Sequence, residues 1–244
     1  NADARLAIIV NGWYPREKRP SRLGIDNSVS KDDNKEYWQY HVKEMENQFF
    51  MKILPQIESG KEVHFSIFAL APIPLLIKLG TLFSDMIRVE VYQLHREPQT
   101  WDWQEGPDDF DYIVREPNSI HETVALIIAF SDTVSKDRIS RVLGETNISI
   151  WALTIPEPDK DFLKSREQLS LFRERFRNLL GRIKQKHGED ATINVFPAMG
   201  VAPAVEVGRV WQSKADLPMV IYDENKSLGG FVEAIRIGNR QEGK

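Results

Sequence analysis

The stretch VHFSIFALAPIPLLIKLGTLFSD, residues 63–85, and its continuation MIRVEVYQLHREPQTWDW, residues 86–103, decide the fold. It opens with an apolar run of strand length, Val63–Leu70, and it contains a second run rich in β-branched residues, Val89–Leu94. Between these runs, two prolines precede leucine and isoleucine residues spaced three and four apart, which is typical of a helix. The order strand, turn, helix, strand predicts a parallel βαβ unit.

Turns that follow parallel strands open on the same edge of the sheet, where open α/β sheets hold ligands. Two such turns are expected, Ala71–Pro74 and His95–Trp103. The first brings a helix N-terminus to that edge, where backbone N–H groups and the helix dipole favour an anion. The second combines charge, hydrogen-bonding groups and flat aromatic rings, a mixture that suits a nucleotide. Its candidate residues are His95, Arg96, Gln99, Thr100, Trp101 and Trp103.

The alternation of strands and helices continues along the chain. Glu122–Phe130 is a nearly continuous apolar run, which predicts a strand buried on both faces, and Ile148–Thr154 and Thr192–Phe196 are the next predicted strands. We expect Ser131-Asp132 at the N-terminus of a helix, on the carboxyl side of the first of these strands. A long amphipathic helix is predicted at Asp161–Lys186.

A second proline-containing turn, Pro197–Pro203, leads into a predicted helix at Ala204–Trp211. It corresponds in position to Ala71–Pro74, because both turns join an apolar strand to a helix through small residues and proline. This weak internal similarity predicts an α/β fold of two Rossmann-like halves, about Leu6–Ser119 and Ile120–Lys244, with mainly parallel sheets flanked by helices. Other predicted elements are a strand at Leu6–Val10, an amphipathic helix at Asn34–Ser59, an irregular acidic segment at Gln104–Ser119, and strands at Met219–Tyr222 and Phe231–Ile237.

Composition narrows the range of possible functions. The 244 residues carry a net charge of −4, which argues against holding nucleic acid chiefly through a broad basic face but is compatible with a small anionic ligand. The absence of cysteine excludes disulfides and thiolate metal sites and agrees with a reducing cytoplasm. No apolar run approaches the ~20 residues that span a bilayer, and no signal peptide is recognisable. The chain begins Asn1-Ala2, without methionine, so we expect it to be part of a longer protein.

No catalytic motif is recognisable. The phosphate-binding loop, the dinucleotide fingerprint, the zinc-protease motif and the nucleophile elbow are all missing, and the five histidines are scattered singly. Asp108, Asp109 and Asp111 invite a metal-site hypothesis, but a solvated loop is the favoured interpretation because no second ligand cluster has usable spacing. We therefore expect no catalytic residue, no metal and no cofactor.

Groups suited to a nucleotide recur at the predicted strand ends. Amides and hydroxyls could bond base edges or ribose, a guanidinium could pair with phosphate, and an indole could stack on a base. Proline-containing turns could hold backbone N–H donors ready for a phosphate. The predicted ligand-binding residues are Pro72, Ile73, Pro74, Gln93, His95, Arg96, Thr100, Trp101, Trp103, Ser131, Asp132, Thr154, Ala198, Met199, Gly200, Asp223 and Asn225. Core packing explains the two tryptophans equally well, and a turn cap is the favoured interpretation of Asp223 and Asn225.

Six basic residues of the predicted helix at 161–186 could form a phosphate-binding strip. Placed on a helix, they fall mostly on the side opposite the apolar residues, so a solvated face is the favoured interpretation. These residues are Arg173, Arg175, Arg177, Arg182, Lys184 and Lys186.

Five blocks, in order along the chain, resemble the SAVED domain, the cyclic-oligonucleotide sensor of bacterial CBASS anti-phage systems. They are FALAPIPLLIKLG, VEVYQLHREPQTWDW, DFLKSREQLSLFR, INVFPAMGVAPAVEVGR and IYDENKSLGGF, within a match from about Glu36 to Ile237. The resemblance implies two fused CARF-like modules that hold a cyclic di- or trinucleotide where they meet. It also implies head-to-tail self-association that activates a fused effector, which is best known as an HNH or other nuclease and elsewhere is a TIR, protease or membrane effector.

The same resemblance implies a bacterial cytoplasmic protein whose messenger comes from a cognate nucleotidyltransferase, with no membrane attachment and no direct nucleic-acid binding by this domain. The residues alone leave two alternatives open. One is a ring nuclease or another nucleotide-processing Rossmann enzyme, in which Ser131, His95 or Arg96 acts on a phosphodiester. The other is an interaction module whose crevice holds a partner's peptide.

Overall fold

The computed structural model describes residues 20–24, 35–59, 63–83, 87–225 and 229–238. The strand predicted at Leu6–Val10 lies outside these residues. The helices within them are α1 (Lys35–Lys52), α2 (Leu54–Glu58), α3 (Ile73–Leu82), α4 (Lys136–Leu143), α5 (Arg166–His187) and α6 (Val201–Val210). The strands are β1 (His64–Ile67), β2 (Arg88–Val91), β3 (Ile113–Arg115), β4 (Thr123–Ala129), β5 (Ile148–Thr154), β6 (Ile193–Ala198), β7 (Met219–Asn225) and β8 (Gly230–Ile237).

The βαβ unit predicted from residues 63–103 is present. β1 and β2 form a two-stranded parallel sheet in which His64 pairs with Arg88 and Ile67 with Val91, and α3 is the crossover between them. Both strands are shorter than the apolar runs that predicted them. The residues left over at their carboxyl ends form the loops that carry the candidate site.

The second sheet has six strands in the order β3-β5-β4-β6-β7-β8. Its four central strands are parallel, and the edge strands β3 and β8 run antiparallel to their neighbours. The predicted α/β class with mainly parallel sheets flanked by helices is confirmed. The interpretation of residues 104–119 as wholly irregular is wrong, because Ile113 and Val114 pair with Thr154 and Leu153 as an edge strand.

Several helix boundaries differ from those predicted. α1 ends at Lys52 and α2 follows separately, since Pro55 has no N–H with which to continue the helical ladder. α5 begins at Arg166 rather than Asp161, because Ser165 caps it: Ser165 Oγ accepts from the Gln168 N–H, and the Gln168 side chain accepts from the Ser165 N–H.

Two further helices, α4 and α6, begin at residues other than those predicted, and both differences affect the candidate site. α4 begins at Lys136, so Ser131-Asp132 does not lie at a helix N-terminus; the Ser131 N–H instead binds Ala198 O at 2.9 Å, which ties this segment to β6. α6 begins at Val201 rather than Ala204, because Pro203 lies in the first turn, where a missing N–H breaks no helical bond. β6 extends through Ala198, which leaves only Met199 and Gly200 between strand and helix.

Helices α3 and α6 occupy equivalent places in two βαβ units, a first unit formed by β1, α3 and β2 and a second formed by β6, α6 and β7. They begin at Ile73 and Val201 and end at Leu82 and Val210, a shift of 128 residues at both ends. A methyl group built on Gly80 would lie 2.0 Å from Val205 O, and one built on Gly208 would lie 1.9 Å from Ile77 O. The contact is reciprocal under the same shift, and the two backbones approach this closely only because both positions are glycine.

The main core lies between the six-stranded sheet and the helices α3, α5 and α6. α5 contributes Phe172, Phe176 and Ile183, which are fully buried. A smaller cluster on the other face of the sheet packs Ile139 of α4 against Phe196 and Tyr222. No helix in the described part of the chain is long and apolar enough to cross a membrane.

Candidate functional site

The loop after β2 and the start of α6 meet at the carboxyl edge of the strands. Gln93 Oε1 accepts a hydrogen bond from the Ala202 N–H at 3.1 Å, while Gln93 Nε2 donates to Leu94 O at 3.2 Å. The side chain is buried and lies against Gly200, where a methyl group would come within 2.9 Å of Gln93 Oε1. Gln93 therefore joins the first βαβ unit to the helix start of the second.

The N-terminus of α3 offers an anion fewer free backbone N–H donors than the sequence predicted. Pro72 and Pro74 carry no N–H, and the N–H groups of Leu75 and Leu76 both point back to Pro72 O, at 3.1 and 3.2 Å. In this first turn, that leaves the N–H of Ile73, which does not donate to Pro72 O. The anion-binding capacity predicted for the turn at 71–74 thus depends on a single residue.

The tryptophans of the WDW sequence pack into an aromatic cluster formed by Phe68, Tyr92, Trp101 and Trp103. The Phe68 and Tyr92 rings are stacked with centroids 4.5 Å apart, and Trp101 meets Phe68 edge-on at 5.2 Å. Trp101 is buried and Trp103 is half-buried. The core-packing interpretation therefore holds for Trp101 in this conformation, and Trp103 is the ring with an accessible surface.

His95 is fully buried, and neither ring nitrogen has a hydrogen-bond partner. Its Nδ1 lies 3.8 Å from Asp161 Oδ1. Burial lowers the pKa of His95, and the negative charge of Asp161 raises it in part. Trp103 Nε1 and Gln104 Nε2, from the same loop, are also buried without a partner.

Asp161 connects this loop to the segment before α5. It accepts from the Arg96 N–H at 3.2 Å and from Lys164 Nζ at 2.6 Å. Partial burial works against its charge, but these bonds outweigh burial and hold the pKa of Asp161 below its ordinary value. The Arg96 side chain is exposed, so its backbone is held in place while its guanidinium remains accessible to a ligand.

A second contact joins β2 to α5. Arg166, in the first turn of α5, forms an ion pair with Glu90 of β2. The Tyr92 hydroxyl lies beside this pair, and burial together with the charge of Glu90 raises the pKa of Tyr92 well above its ordinary value. Glu90 in β2 and Gln93 just after it thus contact two different helices, α5 and α6.

The ends of β4, β5 and β6 are tied to one another. Thr154 Oγ1 donates to Ala129 O at 2.7 Å, and Ala198 O accepts from the N–H groups of Phe130 and Ser131. Met199 is buried, whereas Asp132 is exposed. The Thr154 hydroxyl is therefore committed within the protein, and Asp132 remains open to solvent.

The remaining predicted residues lie as follows. Thr100 Oγ1 donates to Asp102 Oδ2 at 2.9 Å within its own turn. Asp223 and Asn225 were interpreted as turn caps, but β7 continues through both: Asp223 pairs with Val232 and Asn225 with Gly230, and Asn225 is buried. Pairing with β8 explains why the strand runs past the predicted end at Tyr222.

A cavity of about 560 Å³ opens after the end of β5. Its lining includes Phe110 and Phe162, whose rings stack with centroids 6.2 Å apart, and the acidic residues Glu157 and Asp159. Phe162 of this lining follows Asp161 in the chain, and Asp161 accepts from the Arg96 N–H of the His95–Trp103 loop.

The basic strip of α5 is largely paired within the protein. Arg175 makes two hydrogen bonds to Asp111, at 2.9 and 2.8 Å, and Arg177 pairs with Asp216. Arg182 pairs with Glu116. This disfavours a phosphate-binding strip. Within the described residues no group of three or more acidic or histidine side chains is placed to hold a metal ion.

A sequence profile described as the SAVED domain, "SMODS-associated and fused to various effectors sensor domain", matches residues 45–237. The chain belongs to the SAVED family. Among curated proteins, none gives a significant match to this sequence.

Solved structures share the fold of this SAVED domain. The Acinetobacter baumannii Cap4 SAVED/CARF-domain containing receptor with the cyclic trinucleotide 3'3'3'-cAAA superposes with a TM-score of 0.62 at 15% identity, over 89% of this chain and 51% of that chain. The same receptor with 2'3'3'-cAAA gives a TM-score of 0.58 at 14% identity, over 84% of this chain and 44% of the other. The Moraxella osloensis Cap4 receptor gives 0.53 at 15% identity, over 83% and 42%. This chain spans about half the length of these receptors.

Sequence reasoning missed the partners that hold the SAVED loops together. Asp161, Lys164, Glu90 and Arg166 lie in two of the blocks that carry the resemblance, but nothing local indicates that they meet. The Ser165 and Gln168 capping box was a readable signal, because Ser-x-x-Gln before an apolar run marks a helix start. The cavity beside Phe162 had no sequence signal.

Proposed function

We propose that this SAVED domain is a sensor that binds a cyclic di- or trinucleotide at the carboxyl edge of its strands, where the two βαβ units meet. One observation carries the proposal: the loop that follows β2 is fixed to the start of α6, in the second unit, by Gln93, and to the segment before α5 by Asp161. A ligand seated on this loop contacts both units at once. Binding is then able to change how they are held together.

The chemistry of this edge suits a nucleotide. Arg96 presents an exposed guanidinium for a phosphate, and Trp103 presents a half-buried ring for a base. The cavity beside Phe162, at about 560 Å³, is within the ~300–1,000 Å³ range of small-molecule sites. We include it in the ligand site, with the Phe110 and Phe162 rings available for stacking and the carboxylates of Glu157 and Asp159 as acceptors for a base amino group.

Membership of the SAVED family supports a sensor rather than an enzyme. The competing ring-nuclease hypothesis needs Ser131, His95 or Arg96 to act on a phosphodiester. His95 is fully buried, which places its ring out of reach of a phosphate in this conformation. The second alternative, a crevice for a partner's peptide, is an outcome of the test below.

We propose further that ligand binding drives self-association and activates a fused effector, a DNA endonuclease, in the bacterial cytoplasm. The family description, a sensor fused to various effectors, supports the effector, and the resemblance to CBASS sensors supports the nuclease and the assembly. Incubating the whole protein and its messenger with DNA distinguishes a nuclease from a TIR effector, which would consume NAD instead.

The test of the sensor is a thermal-shift screen against cyclic di- and trinucleotides, followed by light scattering on each stabilising ligand. A ligand that binds only the folded chain raises its apparent melting temperature. We expect one or a few selective cyclic ligands, growth in mass on binding, and no cleavage to linear products. Linear trinucleotides of the same bases are the matched control. A flat panel would favour the peptide-binding alternative, and linear products would favour the ring nuclease.

A further inference from the structure

A second cavity, of about 360 Å³, shares no lining residue with the cavity assigned to the candidate ligand site. It is found where β2 begins and α6 ends, which is the amino edge of the small parallel sheet. Three arginines from three different elements line it, Arg88 of β2, Arg173 of α5 and Arg209 of α6, together with Glu206. Ile87 and Val210 supply apolar wall. Nothing in the sensor function proposed above uses this cavity.

Two of its charged side chains, Glu206 and Arg209, each have one buried polar atom without a hydrogen-bond partner. Glu206 is fully buried, and one of its oxygens, Oε1, accepts from both Arg209 Nη1 at 2.8 Å and Arg173 Nη1 at 3.2 Å. Arg209 Nη2 donates to Ile87 O at 3.2 Å. The other carboxylate oxygen, Glu206 Oε2, and the remaining donor, Arg209 Nε, are buried without a partner. Folded proteins satisfy nearly all such groups, so a buried acceptor and a buried donor without partners, on residues that line one cavity, indicate a missing partner.

A single partner that serves both atoms accepts from Arg209 Nε and donates to Glu206 Oε2. Arg173 and Arg209 both pair with the single carboxylate of Glu206, and this excess of positive charge favours an anion. Guanidinium groups recognise phosphate oxygens with good geometry. Glu206 Oε2, however, accepts only, so the anion must carry a proton on one oxygen. Inorganic phosphate keeps a proton at neutral pH, and a phosphomonoester keeps one below its second pKa of about 6. A phosphodiester and sulfate have none to donate at neutral pH.

We propose that this cavity binds a protonated phosphate group, supplied either by inorganic phosphate or by a terminal phosphomonoester. The phosphate oxygens accept from Arg173 and Arg209, and the P–OH donates to Glu206 Oε2. Arg173 is the group that moves to admit the ligand, because its side chain is 40% exposed and its contact with Glu206 is the longer of the two. The site is independent of the cyclic-nucleotide crevice.

The test is equilibrium dialysis of the 244-residue chain against radiolabelled inorganic phosphate at about pH 7, with sulfate or a cyclic trinucleotide as competitor. We expect one phosphate per chain, displaced by neither competitor. Arg173→Gln should weaken binding about tenfold or more, as expected for loss of a charged hydrogen bond. Arg175→Gln, on the same helix but paired with Asp111, is the matched control and should leave phosphate binding unchanged. Absence of saturable binding, or an unchanged affinity in Arg173→Gln, would overturn the proposal.

Glu206→Gln separates proton recognition from simple charge attraction. Its amide can donate where the carboxylate could only accept, so we expect sulfate to become an effective competitor in this variant alone. Sulfate competing equally well in the parent chain would contradict the proposal. Circular-dichroism melting confirms that the variant is folded before binding is compared. Adenosine monophosphate identifies the source: displacement of phosphate at about pH 6 that fades by about pH 8 assigns a terminal phosphomonoester, and no displacement at either pH assigns free phosphate.

Discussion

The side-chain oxygen of Gln93 accepts a hydrogen bond from the backbone N–H of Ala202, 3.1 Å away and 109 residues later in the chain. The bond closes the contact between the end of β2 and the first turn of α6. It satisfies one of the N–H groups that a helix N-terminus leaves without an intrahelical partner. The geometry of the candidate site therefore depends on this one amide.

We expect Gln93→Ala to lower the free energy of unfolding by about 1–3 kcal/mol, because it leaves the buried Ala202 N–H without an acceptor. Urea denaturation measures the change. Gln99→Ala, in the exposed part of the same loop, is the control and should change stability by less than about 0.5 kcal/mol. Equal stabilities for Gln93→Ala and Gln99→Ala would show that the contact contributes nothing.

The close crossing of α3 and α6 predicts opposite effects of alanine substitution on stability: a loss at the two crossing glycines and a gain at a control glycine. Gly80→Ala and Gly208→Ala each place a methyl group about 2 Å from a backbone oxygen of the other helix, so we expect each to destabilise the protein by about 1–3 kcal/mol or more. Gly181→Ala, in the middle of α5, meets no atom within 4 Å and should stabilise by about 0.5–1 kcal/mol through helix propensity. Thermal or urea unfolding of the three variants provides the comparison. A neutral Gly80→Ala would mean that the helices do not cross at this point.

Burial of His95 predicts a pH dependence of stability. Burial lowers the pKa of its ring below the ordinary value of 6.5, with Asp161 opposing in part. As the pH falls through about 6.5, the unfolded chain binds a proton at this ring before the folded chain does, so the contribution of His95 to stability is present above that pH and is lost below it.

We expect His95→Gln to reduce the difference in unfolding free energy between about pH 7.5 and about pH 5.5, since the variant has no ring to protonate. Urea titrations of both proteins at the two pH values measure it. A further titration at about pH 8, where the ring is neutral in both states, separates any change in packing from the protonation effect. Identical pH dependence in the two proteins would contradict the assigned role of burial.

Arg96→Ala tests which loop faces the ligand. Its backbone N–H stays bound to Asp161 in the variant, so the fold should be unchanged while cyclic-nucleotide affinity falls about tenfold or more through loss of a charged phosphate contact. Isothermal titration with the best ligand of the screen measures the affinity. Arg182→Ala removes an exposed arginine from the far end of α5 and should bind as the parent does. Full affinity in Arg96→Ala would mean that this turn does not contact the ligand.

The elements that sequence predicted well are those with a strong local pattern. β5 was predicted with its observed ends, Ile148 and Thr154, because its apolar run stops where a proline turn begins. Boundaries failed where distant partners decide them. β3 exists because β5 offers an unpaired edge, and β7 continues to Asn225 because β8 pairs with it. Neither cause is visible in local periodicity.

The candidate site was predicted at the level of loops rather than side chains. The chemistry of Trp101 and Trp103 is the same, yet one is buried in the aromatic cluster and the other is half-exposed, because packing on Phe68 and Tyr92 selects between them. The role of Asp161 depends on a contact with Arg96, 65 residues away. Such pairings arise from the three-dimensional fold, and so the partners of the loop could not be named in advance.

The most direct test of the central claim, that the ligand is held where the two βαβ units meet, is hydrogen–deuterium exchange of the chain with and without the best cyclic ligand. We expect slower exchange in two segments at once, residues 93–103 after β2 and residues 198–204 around the start of α6, with residues 177–187 of α5 unchanged. Protection of only one of the two segments, or of neither, would contradict a site shared between the units.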